Sequence, residues 1–272
     1  ERQIRDTVRR FVDDKIMPGI DRHFEHASFP ADAVPALAEL RILGGNLPEE
    51  YGCANMNAVS YGLVMQELER GDSGLRSFAS VQGALVMYPI HEFGSDKQKR
   101  HWLPLLAKGE KIGCFGLTEP DHGSDPGGME TRAERADGGW LLNGTKRWIT
   151  NGDVANWYLV FAREEGTKAH KGVAAFIVEA SWPGARWDAL VHKLGQRASL
   201  PHHSVLHFLQ HQRGVIGRDE RYEVERHPGV LLLHEPGGCV GRVAGLQPHL
   251  IAPRQDQRAV RPMPRLQVGP GQ

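Results

Sequence analysis

The chain is poor in cysteine, carries no net charge and has no long apolar run, and each shortage narrows what it can be. Cys53, Cys114 and Cys239 are the only three cysteines in 272 residues, and no C-x-x-C pair occurs. That argues against a zinc site or a disulfide framework and suits a reducing compartment. Lysine plus arginine equals aspartate plus glutamate at 33 each, so no global field draws the chain to nucleic acid or to an anionic membrane. The expected partner is a small molecule. No apolar run approaches a membrane span and no signal peptide opens the sequence. The first residue is Glu1 rather than Met, so the chain is expected to begin inside a longer protein.

What is present falls into two periodicities. From Glu1 to about Gly109 the apolar residues recur at helical spacing: Ile4, Val8, Phe11 and Val12, with Pro18 as an interruption, then Leu37, Leu40 and Leu43, then Val59, Leu63, Val64 and Leu68. A fourth helix, Leu75 to Phe93, is apolar almost throughout and is expected to be buried. A fifth starts at Ser95, where Gln98 completes a capping box, and stops at Lys108-Gly109, with Pro104 expected to kink or break it. Near Ile112 the period becomes two. Thr131–Ala136, Trp140–Leu142 and Thr145–Thr150 are read as strands joined by the hairpin turns Asp137-Gly138 and Asn143-Gly144, and two more apolar runs follow at Trp157–Arg163 and Gly172–Glu179. The expectation is an α+β chain: an all-helical part, then a compact antiparallel sheet or barrel.

Two polar segments stand out against this frame. Ile112 to Leu117 delivers the chain into Thr118-Glu119-Pro120-Asp121-His122-Gly123-Ser124-Asp125, a turn-rich loop crowded with hydroxyls and carboxylates. Alone, such a loop reads somewhat more readily as a surface turn. Lys146-Arg147-Trp148-Ile149-Thr150-Asn151 then puts an indole and a hydroxyl two residues apart, on one side of an extended strand.

Leu-Thr-Glu-Pro, Gly-Ser-Asp and Trp-Ile-Thr-Asn, in that order and separation, resemble the flavin-binding middle domain of the acyl-CoA dehydrogenases, and the resemblance extends from about Glu1 to Ser199. It implies an N-terminal helical domain over 1–110, a middle β domain over 111–199 that binds FAD and acyl-CoA, and a C-terminal four-helix bundle for which this sequence has no counterpart. By resemblance Phe115, Gly116, Leu117, Thr118, Glu119, Pro120, Asp121, His122, Gly123 and Ser124 border the FAD, with Trp148, Ile149 and Thr150. Thr118 would offer its hydroxyl to the pyrimidine side of the flavin, Trp148 would cover the ring system, and Thr150 would sit near N5. Ser124 would also face the CoA portion of the substrate. For Trp148 by itself the alternative is core packing. Glu119 is implied to fix the loop, because the family's catalytic base is a glutamate of the bundle; no catalytic base is assigned here. The resemblance also implies an electron-transfer flavoprotein as partner, a homotetramer built through the bundle, and a location in the bacterial cytoplasm or the mitochondrial matrix.

Arg76 is the single charge in the run Leu75–Ile90, with Ser77 and Ser80 beside it or one turn away. A buried guanidinium needs an anion. Arg76-Ser77-Phe78-Ala79-Ser80-Val81-Gln82 resembles the glutaryl-CoA dehydrogenase branch of the family, whose arginine here meets the far carboxylate of glutaryl-CoA; the alternative is a salt bridge to Glu67 or Glu69. The implied activity is oxidation and decarboxylation of glutaryl-CoA to crotonyl-CoA and CO2. A short-chain acyl-CoA dehydrogenase or oxidase, and a non-catalytic remnant of a disrupted gene, stand as alternatives.

Beyond Ser199 the composition changes. Residues 200–272 hold no Lys, Thr, Asn or Trp, yet nine arginines and seven of the fourteen histidines. The first reading is a shifted frame, since CCC-CAC-CAC for Pro201–His203, read one base later, encodes the Pro-Thr that the family continues with. A disordered tail and a different domain are the alternatives. His203, His207 and His211 would line one helix face, but no acidic partner lies between them and no metal is expected. Gly237-Gly238-Cys239-Val240-Gly241 lacks the spacing and preceding strand of a dinucleotide fingerprint.

Overall fold

Ile4, Val8 and Phe11 wind the first helix, α1 (Arg2–Phe11), around its apolar stripe, and Arg9 and Arg10 complement the dipole in its last turn. The sequence places an interruption at Pro18. In the structure, a computed structural model, a five-residue π turn (Val12–Ile16) instead carries the chain into α2 (Met17–His26). Pro18 sits in the first turn of α2, where a missing N–H costs little. The residues described are 1–136, 139–152, 154–167, 172–182, 184–185, 187–188, 193–199, 204–207 and 230–231, all within one compact unit, Glu1–Val240.

α3 (Ala33–Glu39) and α4 (Ala58–Gly71) follow. Asp72 then breaks the helix in extended backbone and caps α5 (Ser73–Ser80), its carboxylate accepting from Gly74 and Leu75 N–H at 2.7 and 3.1 Å. A seven-residue π turn (Val81–Met87) links α5 to α6 (Tyr88–Phe93). α7 (Asp96–Ala107) opens with the Ser95–Gln98 capping box and runs through Pro104 without a break; Gly109, at φ +66°, turns the chain away in left-handed backbone. Val8, Val12, Leu37, Leu68, Leu75 and Phe78 form the centre of the helical core.

The β part is two sheets rather than one. β1 (Gly113–Gly116), β2 (Arg132–Ala136), β3 (Gly139–Asn143), β5 (Trp157–Glu164), β6 (Val173–Glu179) and β9 (Val230–Leu231) share the larger; β4 (Thr145–Ile149), β7 (Trp187–Asp188) and β8 (Ser204–His207) form the smaller. The larger sheet is mixed. β5 pairs antiparallel with β6 and parallel with both β1 and β2. β5 is buried on both faces as far as Ala162, as a central strand should be. Ala136 opposite Gly139 fits the expected tight β2–β3 hairpin, whose turn lies outside the described residues. Asn143-Gly144 is not a hairpin: β4 leaves β3 to pair with β8, and neither residue has a positive φ. Gly144 is needed for a close approach, since a Cβ there would lie 2.3 Å from Thr131 Oγ1.

After β7 the chain returns to the helices. Ala198 is fully buried in the helical core, and Arg197 donates from Nε and Nη2 to the carbonyls of Phe24 and Glu25 at the end of α2, both at 3.1 Å. The described part of the C-terminal stretch is confined to β8 and β9. His207 stands in β8, so a helical row with His203 and His211 does not form there; those two residues and Gly237–Gly241 lie outside the described residues.

Candidate functional site

β1 feeds the loop that begins at Leu117, and a buried lysine holds that loop in place. Lys146 projects inward from β4, fully buried, and donates to Leu117 O at 3.1 Å and to Glu119 Oε1 at 2.7 Å. Glu119 is itself buried and also accepts from Glu130 N–H, from Thr131 N–H at 3.0 Å and from the Thr131 hydroxyl. Both ends of the loop 117–131 are thereby tied to one carboxylate. Burial pushes Glu119 up, but the Lys146 charge and the surrounding donors outweigh it and hold the carboxyl below its ordinary range. Burial lowers Lys146 to about 8 against the pull of Glu119. Glu119 N–H closes a turn on His122 O at 3.1 Å, and Pro120, Asp121, Gly123 and Ser124 are exposed at the tip. A cavity of about 310 Å³ opens under this tip, between Asp121, His122, Arg132 and Thr145.

β4 does not continue as the regular strand that its alternation suggests. Lys146 and Ile149 both point inward with two residues between them, and the register with β8 shifts across this stretch. Trp148 is the reason: its φ is +62°, a left-handed value that a bulky side chain rarely adopts. The bulge turns the indole outward to 51% exposure, with the Arg147 guanidinium 4.6 Å from the ring centroid. Arg147 N–H donates to Thr118 O at 2.8 Å, which sets Thr118 alongside the bulge, and Thr150 follows, half-buried. The structure therefore sets Thr118 beside the segment Trp148–Thr150 through a bulge, not along the even strand that the sequence reading expects. Ile149 and Gly116 are buried in the core, and the Phe115 ring packs against Phe161, tilted by 58° with centroids 4.8 Å apart.

Arg76 is partly exposed rather than buried. Its Nε donates to Glu69 Oε2 at 2.5 Å, and Nη1 reaches Ser80 Oγ at 3.5 Å. The internal acid is thus Glu69, which Arg76 and Ser73 hold below its ordinary range; Glu67 belongs to Arg9 and Arg70. Ser77 and Ser80 lie half-buried on the same helix. The residue that sequence reasoning passes over is Lys146. Its only signal is an inward lysine facing a carboxylate that the same loop needs, and that shows only once the loop is folded.

Residues 1–110 match the family "Acyl-CoA dehydrogenase, N-terminal domain" and residues 114–208 match "Acyl-CoA dehydrogenase, middle domain". The mitochondrial short-chain specific acyl-CoA dehydrogenase of Rattus norvegicus is 37% identical over 196 residues, 72% of this chain and 48% of that protein. Glutaryl-CoA dehydrogenase from Mycobacterium smegmatis in complex with FADH2 superposes with a TM-score of 0.71 at 48% identity, covering 76% of this chain and 52% of that one. A chain of the electron transferring flavoprotein structure from Acidaminococcus fermentans superposes at 0.73 with 32% identity, over 76% and 54%. The chain spans about half the length of the curated relatives it matches.

Proposed function

The chain belongs to the acyl-CoA dehydrogenase family, and from that premise we propose that it binds FAD beside the Trp148 bulge and takes glutaryl-CoA as substrate, for oxidative decarboxylation to crotonyl-CoA and CO2. The carrying observation is Trp148 itself: a half-exposed indole held in left-handed backbone beside Thr118 fits a planar ring ligand. When bound, the flavin supplies the hydride acceptor that no side chain can be. Thr118 and Thr150 offer hydroxyls at the edge of that platform, and Trp148 shields it from water. The exposed Ser124 at the loop tip is suited to the CoA portion. Electrons would pass on to an electron-transfer flavoprotein, a partner in keeping with the Acidaminococcus relative.

Substrate choice rests on Arg76. Glu69 takes one side of the guanidinium and Ser80 marks the other, leaving Nη donors for the distal carboxylate of the acyl group. The 48% identity to the mycobacterial glutaryl-CoA dehydrogenase supports this reading. The pairing with Glu69 favours a second one, a monocarboxylic short-chain substrate, because Arg76 already has an anion.

The residues assigned above hold ligands and none is assigned as a base, so binding, not turnover, is the readout. The 272-residue chain is expected to quench FAD fluorescence on titration, and glutaryl-CoA is then expected to perturb the flavin spectrum at lower concentration than butyryl-CoA. Arg76→Ala should weaken glutaryl-CoA by about tenfold, the worth of one charge-assisted hydrogen bond, and leave butyryl-CoA unchanged. Absence of FAD binding would support the non-catalytic reading; equal losses for the two thioesters would sink the carboxylate assignment.

A further inference from the structure

Gln82 is the second residue of the π turn that follows Ser80, and it is completely buried. Its Nε2 donates to Leu106 O at 3.0 Å and to Lys111 O at 2.9 Å, and its Oε1 accepts from Gly113 N–H at 2.8 Å. Leu106 lies at the end of α7, Lys111 in the connection between the helical and β parts, and Gly113 is the first residue of β1. One amide therefore joins three segments, with both of its N–H donors used and its oxygen engaged. The π turn also changes the phase of the helix immediately after Arg76, Ser77 and Ser80, and such turns concentrate at functional sites.

The position of this amide matters because of what lies on either side of it. Six residues upstream, on α5, stands Arg76; a few residues downstream of Gly113, β1 opens into Leu117 and Thr118. Gly113 N–H would be left without an acceptor if Gln82 were apolar, at the point where β1 meets the helices.

We propose that Gln82 is a positioning residue: through its three bonds it holds the helix bearing Arg76, Ser77 and Ser80 in register with the strand that leads to Thr118, and so sets the reach between acyl-end recognition and the flavin platform. This rests on the function proposed above and deepens it. A purely structural glutamine would, when removed, weaken all ligands alike. A positioning glutamine changes their ratio, because only a substrate anchored at both ends senses the separation.

The test uses the full chain loaded with FAD to equal occupancy, with Gln82→Met, which keeps length and volume but makes none of the bonds, and Gln82→Glu, which keeps an acceptor for Gly113 N–H and loses both donations. Dissociation constants for glutaryl-CoA and butyryl-CoA are read from the flavin absorbance. Gln82→Met is expected to lower the preference for glutaryl-CoA about tenfold, one charge-assisted hydrogen bond out of place, with Gln82→Glu between it and the unaltered chain. In an Arg76→Ala background the same substitution should leave the ratio unmoved, since the anchored end is gone. If Gln82→Met does not fold, the Gln82→Glu ratio decides. Proportional weakening of both thioesters, or no change, overturns the inference alone. Failure of the unaltered chain to bind FAD or to prefer glutaryl-CoA overturns the proposed function and this inference with it.

Discussion

Among the described residues each half of the molecule buries one glutamate, and the two are neutralised in opposite ways. In the helical half Glu67, 1% exposed, is bonded by Arg9 at 2.7 and 3.1 Å and by Arg70 at 3.0 Å, arginines whose side chains are 48% and 38% exposed. In the β half Glu119 is bonded by Lys146, itself fully buried, and by the backbone and hydroxyl at the far end of its own loop. The first charge is sealed from outside by cations that water and salt still reach; the second is sealed from inside. The helical pair closes a surface and has a spare arginine, whereas the β pair organises a loop and, among the described residues, has no spare cation. That difference predicts unequal consequences when either is disturbed.

The sharpest way to break the comparison is Lys146→Met. It leaves Glu119 charged and buried, and is expected to cost about 3–5 kcal/mol in urea unfolding, with FAD binding lost as the loop loosens. A loss under about 1 kcal/mol would mean that the backbone donors alone hold Glu119, and the contrast between the halves would go. A middle-sized effect is expected from Gly144→Ala, whose new Cβ would fall 2.3 Å from Thr131 Oγ1 and 2.6 Å from Thr131 Cα. The expected loss is about 1–3 kcal/mol, and it should be less than additive with Lys146→Met, because both act through Glu119. Additivity would show that Thr131 matters for packing and not for the carboxylate.

The smallest effect belongs to the helical side. Arg9→Gln leaves Arg70 on Glu67, so the change at neutral pH should be slight and should vanish near 1 M salt, where the screening length is about 3 Å. A salt-independent loss would contradict the outward-facing reading. Acid probes both halves together: Arg9 and then Arg70 hold Glu67 below its ordinary value of 4.5, as the Lys146 charge and donors do Glu119 after opposing burial. Both folded values are depressed, so their contributions are complete above that value and are lost as the pH falls through the lower folded ones. Unfolding measured downward from pH 5 should show this loss, and Lys146→Met should shrink it.

How much of this can be read from the sequence depends on how far the chain must travel to make each feature. The Ser95–Gln98 cap and the stop at Gly109 are local, and both form as their spacing implies. The loop from Leu117 and the Trp148 segment are recognisable from their residues. The bulge at Trp148 is not, because the partner strand against which its register shifts, β8, comes much later in the chain. Lys146 escapes for a related reason: in an alternating strand a lysine reads as outward, and only the folded loop brings a carboxylate beneath it. Pro18 reads as an end because proline opposes helix interiors, but a π turn resets the helix so that the proline falls in a first turn. Arg76 reads as buried from its apolar neighbours, yet it lies on the rim of α5 with Glu69 within reach.

Ala198 has a consequence for the order of events during synthesis. The helices leave the ribosome first, and a helical core assembled then would hold a gap among its side chains, since Ala198 has yet to be made. The gap closes only after the intervening strands have emerged and Arg197 has reached the carbonyls of Phe24 and Glu25. The early half of the chain therefore waits on the late half: its nascent core is finished by a residue that arrives after β1–β7, which couples their completion in time and raises the entropic cost of the last step.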